Sequence, residues 1–591
     1  EKNSKPFCKF IKSKKQDNVG VSPLFQNGKL KSDSKSKAEI FLEQFSSVFT
    51  PHIPGAMPTV QKRVNNSLTH INITTKGVEL LLSKINPSKA AGPDKLPNLV
   101  LKTCASELSP AVTFLFQKSI NSGSLPDDWT NANVAPDYKK GDRHRAENYR
   151  PVSLTCVLSK LLEHIICRSI LSHFEENNVL THLNHGFRSG YSCETQLAIT
   201  IDDLMRNHDK NLQTDIAILD FSKAFDTVPH DRLLHKLESY GIRGDILKWT
   251  QTFLCSRHMK VIVDGEYSSE CPVLSGVPQG TVLGPVLFLV MINDLPDCVK
   301  SSVRLFADDC VLYRVIRTIQ DCIKLQNDLI SLEKWANDWG MVFNAKKCYI
   351  MSTKKKVSYF YQLNNTILQE VDTNPYLGLN ISNDLKWSQH IDSVCKKASS
   401  MLGFAKRNLH HCPRSTRHTA YISLVRSVLD YGSTIWDPHL QCDIDKLERI
   451  QRQGARFITG DYRSKEKGCM TRMLEDLDLP TLQRRRKALR LTLLYKIAEG
   501  LLPGIPKDTY LRPRRDSRNI TETNFNDYVH SNPVSKYVTN NTRCFIIPQG
   551  SSTAYNNSFF VQTISQWNNL DNNVVNAGSV DQFKSQLKNI I

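Results

Sequence analysis

The sequence has no long apolar run, no closely spaced cysteine pair and a deficit of acidic residues. Its longest apolar stretch, Val282 to Ile292, contains Gly284 and Pro285 and is stopped by Asn293 and Asp294. That falls well short of the roughly 20 residues that cross a bilayer, so a membrane is not an expected partner. The opening stretch EKNSKPFCKFIKSKK has no apolar segment of the secretory kind, and it lacks an initiator Met, which suggests a fragment of a longer product. The 16 cysteines are scattered singly with no C-x-x-C among them, which argues against a disulfide framework or a zinc ribbon. His410, His411 and Cys412 adjoin but have no second ligand pair at metal spacing. Reduced thiols point to an intracellular protein of nucleus and cytoplasm. With 58 Asp and Glu against 77 Lys and Arg, the formal charge is +19 and the pI about 9.2. Such a balance favours a polyanionic partner, nucleic acid before an acidic membrane surface.

A chain of 591 residues exceeds one core, and at about 150 residues per domain several units are expected. Residues 1–74 read as a basic, Ser-rich linker with one docking helix near Lys37 to Phe49. Val78, Leu81, Leu82 and Ile85 recur at helical spacing behind Thr74 or Thr75 as N-cap, and the helix ends at Asn86-Pro87. Ala111 to Ile120 is apolar enough to be buried. Hairpins and helices then alternate irregularly as far as Trp387, which suits an α+β domain, and the pattern beyond is almost wholly helical. From about Asp508 the chain turns Asn-, Ser- and Thr-rich and reads as a small terminal module without assignable chemistry.

The chemistry centres on VRLFADDCVLY, Val303 to Tyr313, where apolar arms flank Asp308 and Asp309. Strand, tight turn and returning strand fit it, with both aspartates exposed at the tip. Alone, such a pair is an ordinary solvated turn. A third carboxylate, Asp220, ends another apolar run, TDIAILDF, and three clustered carboxylates can hold two divalent ions. Lys139, Lys140, Arg143, Arg145 and Arg150 crowd a Gly turn and suit either a solvated face or phosphates. Arg188, on the loop GFRSGYS, is shaped for phosphate oxygens or for a surface ion pair. Between Ile444 and Ile458 one helical face is apolar and the other carries Lys446, Arg449, Arg452 and Arg456, a solvated face or a nucleic-acid contact. RRRK at Arg484 to Lys487 adds to that positive field.

The signals D-F-S-K-A-F-D from Asp220, S-G-V-P-Q-G from Ser275 and F-A-D-D from Phe306 occur in an order that resembles the reverse transcriptases of non-LTR, jockey-like retrotransposons. AAGPDKLP, YKKGD…NYRPVSL, GFRSGYS, FNAKKC and YLG follow the same family order, over roughly residues 85–380. The resemblance implies a right-hand polymerase with a mostly helical C-terminal extension: a fingers extension over 75–118, fingers and palm over 119–380, and a helical thumb with a basic extension over 381–507. It implies two Mg²⁺ ions bridged by Asp220 and Asp308, with Asp309 completing the set. Phe225 would exclude a 2′-hydroxyl, while Phe221, Gln279 and Gly280 would meet the incoming nucleotide, Gly280 through the close approach that a missing Cβ permits. Lys347 would protonate the departing pyrophosphate, Arg188 with Lys139 or Lys140 would hold the triphosphate, and Tyr376-Leu377-Gly378 would form the primer grip.

Two departures stand out. Asp137 occupies a place that is usually apolar in the basic turn. Residues 1–84 have no room for the endonuclease such elements carry upstream, and no zinc knuckle occurs. The expected function is RNA-directed DNA synthesis on an RNA template from a DNA 3′ end, with dNTPs as substrates and the nick made by another domain. The alternative is an inactive or domesticated nucleic-acid-binding remnant. A telomerase- or intron-type enzyme would need RNA-binding or maturase segments that the sequence does not show.

Overall fold

The computed structural model describes residues 20–51, 55–61, 63–89, 92–514 and 541–590. Part of the basic linker, Ala90-Ala91 of the Gly/Pro motif and the start of the terminal segment lie outside them.

The chain is built around a five-stranded sheet in the order Gln369–Glu370, Tyr349–Thr353, Gln213–Leu219, Asp309–Ile316, Ser302–Phe306. All pairings are antiparallel except the first, which is parallel. TDIAILD reads as a continuous apolar run because both sheet faces are covered. Ala217 and Leu219 point into the N-terminal core, while Ile216 joins the C-terminal one. The neighbouring strand divides in the same way, with Cys310 and Leu312 on one side and Val311 and Tyr313 on the other. This alternation is the period of two of a pleated strand, and it makes the sheet the wall between two cores. Buried Asp215 on the central strand is satisfied by Gln213 Nε2 at 2.9 Å and the Tyr361 hydroxyl at 2.7 Å.

One face is covered by the helices Val157–Glu176, Gly284–Ile292 and Ile319–Trp339, among others. The apolar run after Val282 is thus a core helix, and buried Glu163 holds its start by accepting the N–H groups of Val282 at 2.7 Å and Leu283 at 3.1 Å. No helix among the described residues is long and apolar enough to cross a membrane. The helix Cys193–Asp209 covers the opposite face and opens on a reciprocal cap, Ser192 Oγ accepting from Thr195 N–H and Thr195 Oγ1 from Ser192 N–H.

A second sheet runs Tyr149–Leu154, Asn131–Tyr138, His258–Val263, Glu266–Tyr267, with Cys271–Pro272 also paired to His258–Val263. The docking helix is Ser34–Ser46, and it lies on this sheet with the Phe41 ring 4.9 Å from Tyr149. The helix Thr75–Ser83 has Thr74 Oγ1 as cap, accepting Gly77 N–H at 3.2 Å.

Several local expectations are corrected. The segment at Ala111 belongs to the longer helix Ala105–Ser122, of which Val112, Phe116 and Ile120 are buried but Phe114 is 71 % exposed. Tyr349–Thr353 lies inside the sheet, since Gln369–Glu370 pairs outside it. PYLGLNIS forms most of a hairpin, Thr373–Tyr376 with Leu379–Ser382, turned by Leu377 and Gly378 at positive φ. Residues 541–590 form no core of their own among the described residues. Phe560, Ile564, Trp567 and Phe583 share the core of Leu402, Leu447 and Leu494 from the helices Ser388–Leu409, Gln441–Thr459 and Leu482–Ala498.

Candidate active site

Asp220 follows the central strand. Its carbonyl accepts the Asn344 N–H at 2.8 Å, and Phe221 bridges to Phe343 with the rings stacked at 4.2 Å. That pairing brings the loop of Lys347 alongside, its Nζ 3.8 Å from the Asp220 carboxylate. In the neighbouring hairpin Ala307 takes φ +55°, and the sharp turn sets Asp308 beside Asp220. Both carboxylates line one open cleft of about 440 Å³. Lys139, Lys140 and Arg150 come to the same cleft from the second sheet, on the two sides of the turn between its first pair of strands.

Charge and burial act together here. Burial raises the Asp308 carboxyl, and the charge of Asp220 adds to that; Lys139 and Arg150 oppose it. Asp309 is pushed up to about 6 by burial, then by Asp308 and Asp220. Lys139 is held below the usual lysine range by desolvation and by Arg150 and Lys347, against the pull of Asp220 and Asp308. Crowded carboxylates on one side and crowded cations on the other are each unfavourable alone, and a bound cation and a bound polyphosphate would relieve them respectively.

Asp309, the third expected carboxylate, is coupled by charge to both Asp308 and Asp220. Asp309 does not line the cleft but lies near Tyr376 and Cys193, whose titration its charge affects. Among the described residues no three His, Cys, Asp or Glu side chains converge as a complete metal cage. Two carboxylates facing clustered lysine and arginine side chains nevertheless suit a hard divalent ion, which takes its other oxygens from water and phosphate.

Phe225 and Gln279 line the cleft. One face of Phe225 stacks on Phe288 at 4.4 Å, so core packing fixes the wall it presents. Gln279 Nε2 donates to Asp226 Oδ1 at 2.8 Å. Gly280 lines the cleft at φ +99°, yet a Cβ there would sit 2.8 Å from the Ser153 carbonyl. Its missing side chain therefore admits the chain's own neighbouring strand.

Arg188 is not in the cleft. Its guanidinium donates to the Thr181 carbonyl at 2.7 Å and lies 4.1 Å over the Tyr191 ring, and Phe187, at φ +53°, faces the cleft instead. Sequence reasoning missed Phe187 and Lys223, because the left-handed backbone that turns each of them leaves no compositional mark. Asp137 is exposed and outside the cleft lining. Tyr376 is buried; the Leu377 carbonyl accepts the Tyr431 hydroxyl at 2.9 Å, and Gly378 packs on the Tyr431 ring. Of the basic helix face, Lys446 pairs with Asp392 and Asp443, and Arg456 donates to the carbonyls of Asp461 and Ser464. Arg449 and Arg452 are exposed.

Residues 138–381 match the family model described as reverse transcriptase (RNA-dependent DNA polymerase). The chain is 25 % identical over 451 residues to the RNA-directed DNA polymerase from mobile element jockey of Drosophila melanogaster, covering 72 % of this chain and 49 % of that protein. In the same organism, the probable RNA-directed DNA polymerases of transposons BS and X-element are 25 % and 26 % identical, over 73 % and 72 % of this chain and 50 % and 49 % of theirs. The chain thus spans about half the length of these curated relatives. Residues 138–381 are thus similar to reverse transcriptases, in a chain similar along about 72 % of its length to RNA-directed DNA polymerases of mobile elements.

Proposed function

We propose that the chain is the RNA-directed DNA polymerase portion of a non-LTR element, extending a DNA 3′ end on an RNA template with dNTPs. The observation that carries this reading is the shared cleft of Asp220 and Asp308, faced by Lys139, Lys140, Arg150 and Lys347, inside the residues similar to reverse transcriptases. In this reading the central sheet is the palm and the second sheet with its basic turn belongs to the fingers. The helices after Trp387 are the thumb, with their basic extension to residue 507. Residues 1–74 serve as linker and 75–118 as fingers extension, within an intracellular protein acting in nucleus and cytoplasm.

Asp220 and Asp308 would hold Mg²⁺, which supplies Lewis-acid activation of the 3′-hydroxyl and neutralises the charge of the pentacovalent phosphate and the pyrophosphate. Lys139, Lys140 and Arg150 bind and orient the triphosphate. The cation on Lys347 Nζ donates its proton to the departing pyrophosphate oxygen. The exposed edge of Phe225 occupies the space a 2′-hydroxyl would need, and its stack on Phe288 keeps it there. Asp309, coupled by charge to Asp308 and Asp220, would complete the carboxylate set that faces the ions. Asp137 is exposed and off the cleft lining, so its carboxylate does not oppose a triphosphate there.

Primer extension on poly(rA)/oligo(dT) with dTTP and Mg²⁺ tests the reading. The native chain should extend, and Asp308→Ala should lower the rate at least about 10³-fold, with duplex affinity within about twofold of native. A native chain that binds the duplex in a salt-sensitive way but does not extend would overturn it.

A further inference from the structure

The C-terminal helices enclose a second cavity, of about 430 Å³, remote in sequence from the residues similar to reverse transcriptases. Arg484, Lys487 and Arg490 line it from the helix Leu482–Ala498. Their spacing of three residues puts them on one stripe. Arg490 is 2 % exposed; it pairs with Asp437 and donates to Gln566 Oε1 at 2.9 Å, but its Nε has no partner. Asp437 is shared with a second buried arginine, Arg486, so one carboxylate faces two guanidinium groups. It is the one acidic residue lining the cavity, against three lysine and arginine side chains. Asn557 from the terminal segment adds an amide, buried Ile444 gives an apolar floor, and half-exposed Ile590 also lines the cavity.

A buried, incompletely partnered guanidinium at the back, two cations nearer solvent and an apolar floor are the parts of a pocket for a phosphate joined to a sugar. We propose that this cavity binds a backbone phosphate of a single-stranded nucleic acid, a second anchoring site apart from the catalytic cleft. It is assembled across a seam: His439 and Arg484 come from one side, Asn557 and Ile590 from the other. The inference rests on the cavity and its charge, and it stands whether or not the cleft turns over.

The test is equilibrium binding of the full chain to a 5′-fluorescein-labelled single-stranded RNA, followed by anisotropy over a KCl series. Arg484→Ala/Lys487→Ala should weaken binding about tenfold near 100 mM KCl and reduce the salt slope by about 0.7, the value for one phosphate of a single strand. Asn557→Asp places a carboxylate in the wall and should weaken binding too, which covers the case of a double variant that does not fold. Affinity and slope like native in the folded variants would overturn the proposal. Inorganic phosphate matched in ionic strength to KCl should displace the RNA from the native chain further than KCl does, and should lose that extra effect in the folded Arg484→Ala/Lys487→Ala variant; the same extra displacement in both would overturn the proposal. Primer extension by the native chain, read separately, reports on the polymerase reading alone.

Discussion

His185 shows how a single residue ties the hairpin of Asp308 to its support. It is buried, its backbone N–H donates to the Leu305 carbonyl at 3.0 Å, and its Nδ1 lies 2.9 Å from Thr195 Oγ1. Burial, then Arg304 and Arg188, push its pKa from the ordinary 6.5 down to about 3. The folded chain therefore keeps His185 neutral where the unfolded chain protonates it. Between these two values the unfolded state binds more protons, so His185 makes the fold lose stability as pH falls from 6.5 towards 3. Urea denaturation at pH 7 and pH 4.5 checks this. The loss on acidification should be smaller in His185→Gln than in the native chain, and an equal loss would place the titration elsewhere.

Among the elements, the joint between the hairpin Thr373–Tyr376/Leu379–Ser382 and the C-terminal helices rests on Tyr431. Its hydroxyl donates to the Leu377 carbonyl, its ring covers Gly378, and its own carbonyl accepts Trp436 Nε1–H at 2.8 Å. The chain reaches it from the π-helical turn Tyr421–Arg426 through Ser427–Asp430 and leaves through Gly432 at φ +61°. Thr434, just beyond, donates to Glu194 at 2.5 Å. Tyr431→Phe deletes one hydrogen bond at a partly exposed site and should lower urea stability by about 0.5–1 kcal/mol. Tyr431→Ala also removes the ring over Gly378 and should lower it further. Equal effects of the two variants would show that the ring contributes nothing to the joint.

For the whole molecule, the decisive feature is that the terminal segment closes the core beneath the helices. Tyr495 stacks on Phe583 at 4.4 Å, its hydroxyl donates to the Ala577 carbonyl at 2.5 Å, and Trp567 is fully buried. A chain ending at Arg514 would expose this surface. It should lose the cooperative unfolding transition of the C-terminal helices and bind a hydrophobic dye. Native-like cooperative melting of the truncated chain would restore the reading of a separable module.

The sequence by itself determined the elements whose pattern is local. The period of two around Asp308, the cap at Thr74, the buried run after Val282 and the amphipathic helix at Ile444 were all legible, because neighbours along the chain set them. It also placed Asp220, Asp308, Lys139, Lys140 and Lys347 as candidates, and the structure brings all five into one cleft. Only the tertiary structure decided which way side chains beside left-handed residues point. Phe187 therefore took the cleft and Arg188 did not, and the turn after Ala307 left Asp309 outside it. Only the tertiary structure, again, joined residues 541–590 to the helices before them. Their composition is polar on average, and the few large rings that bury are far apart in sequence, so that core is set by contacts between distant segments, which no local pattern records.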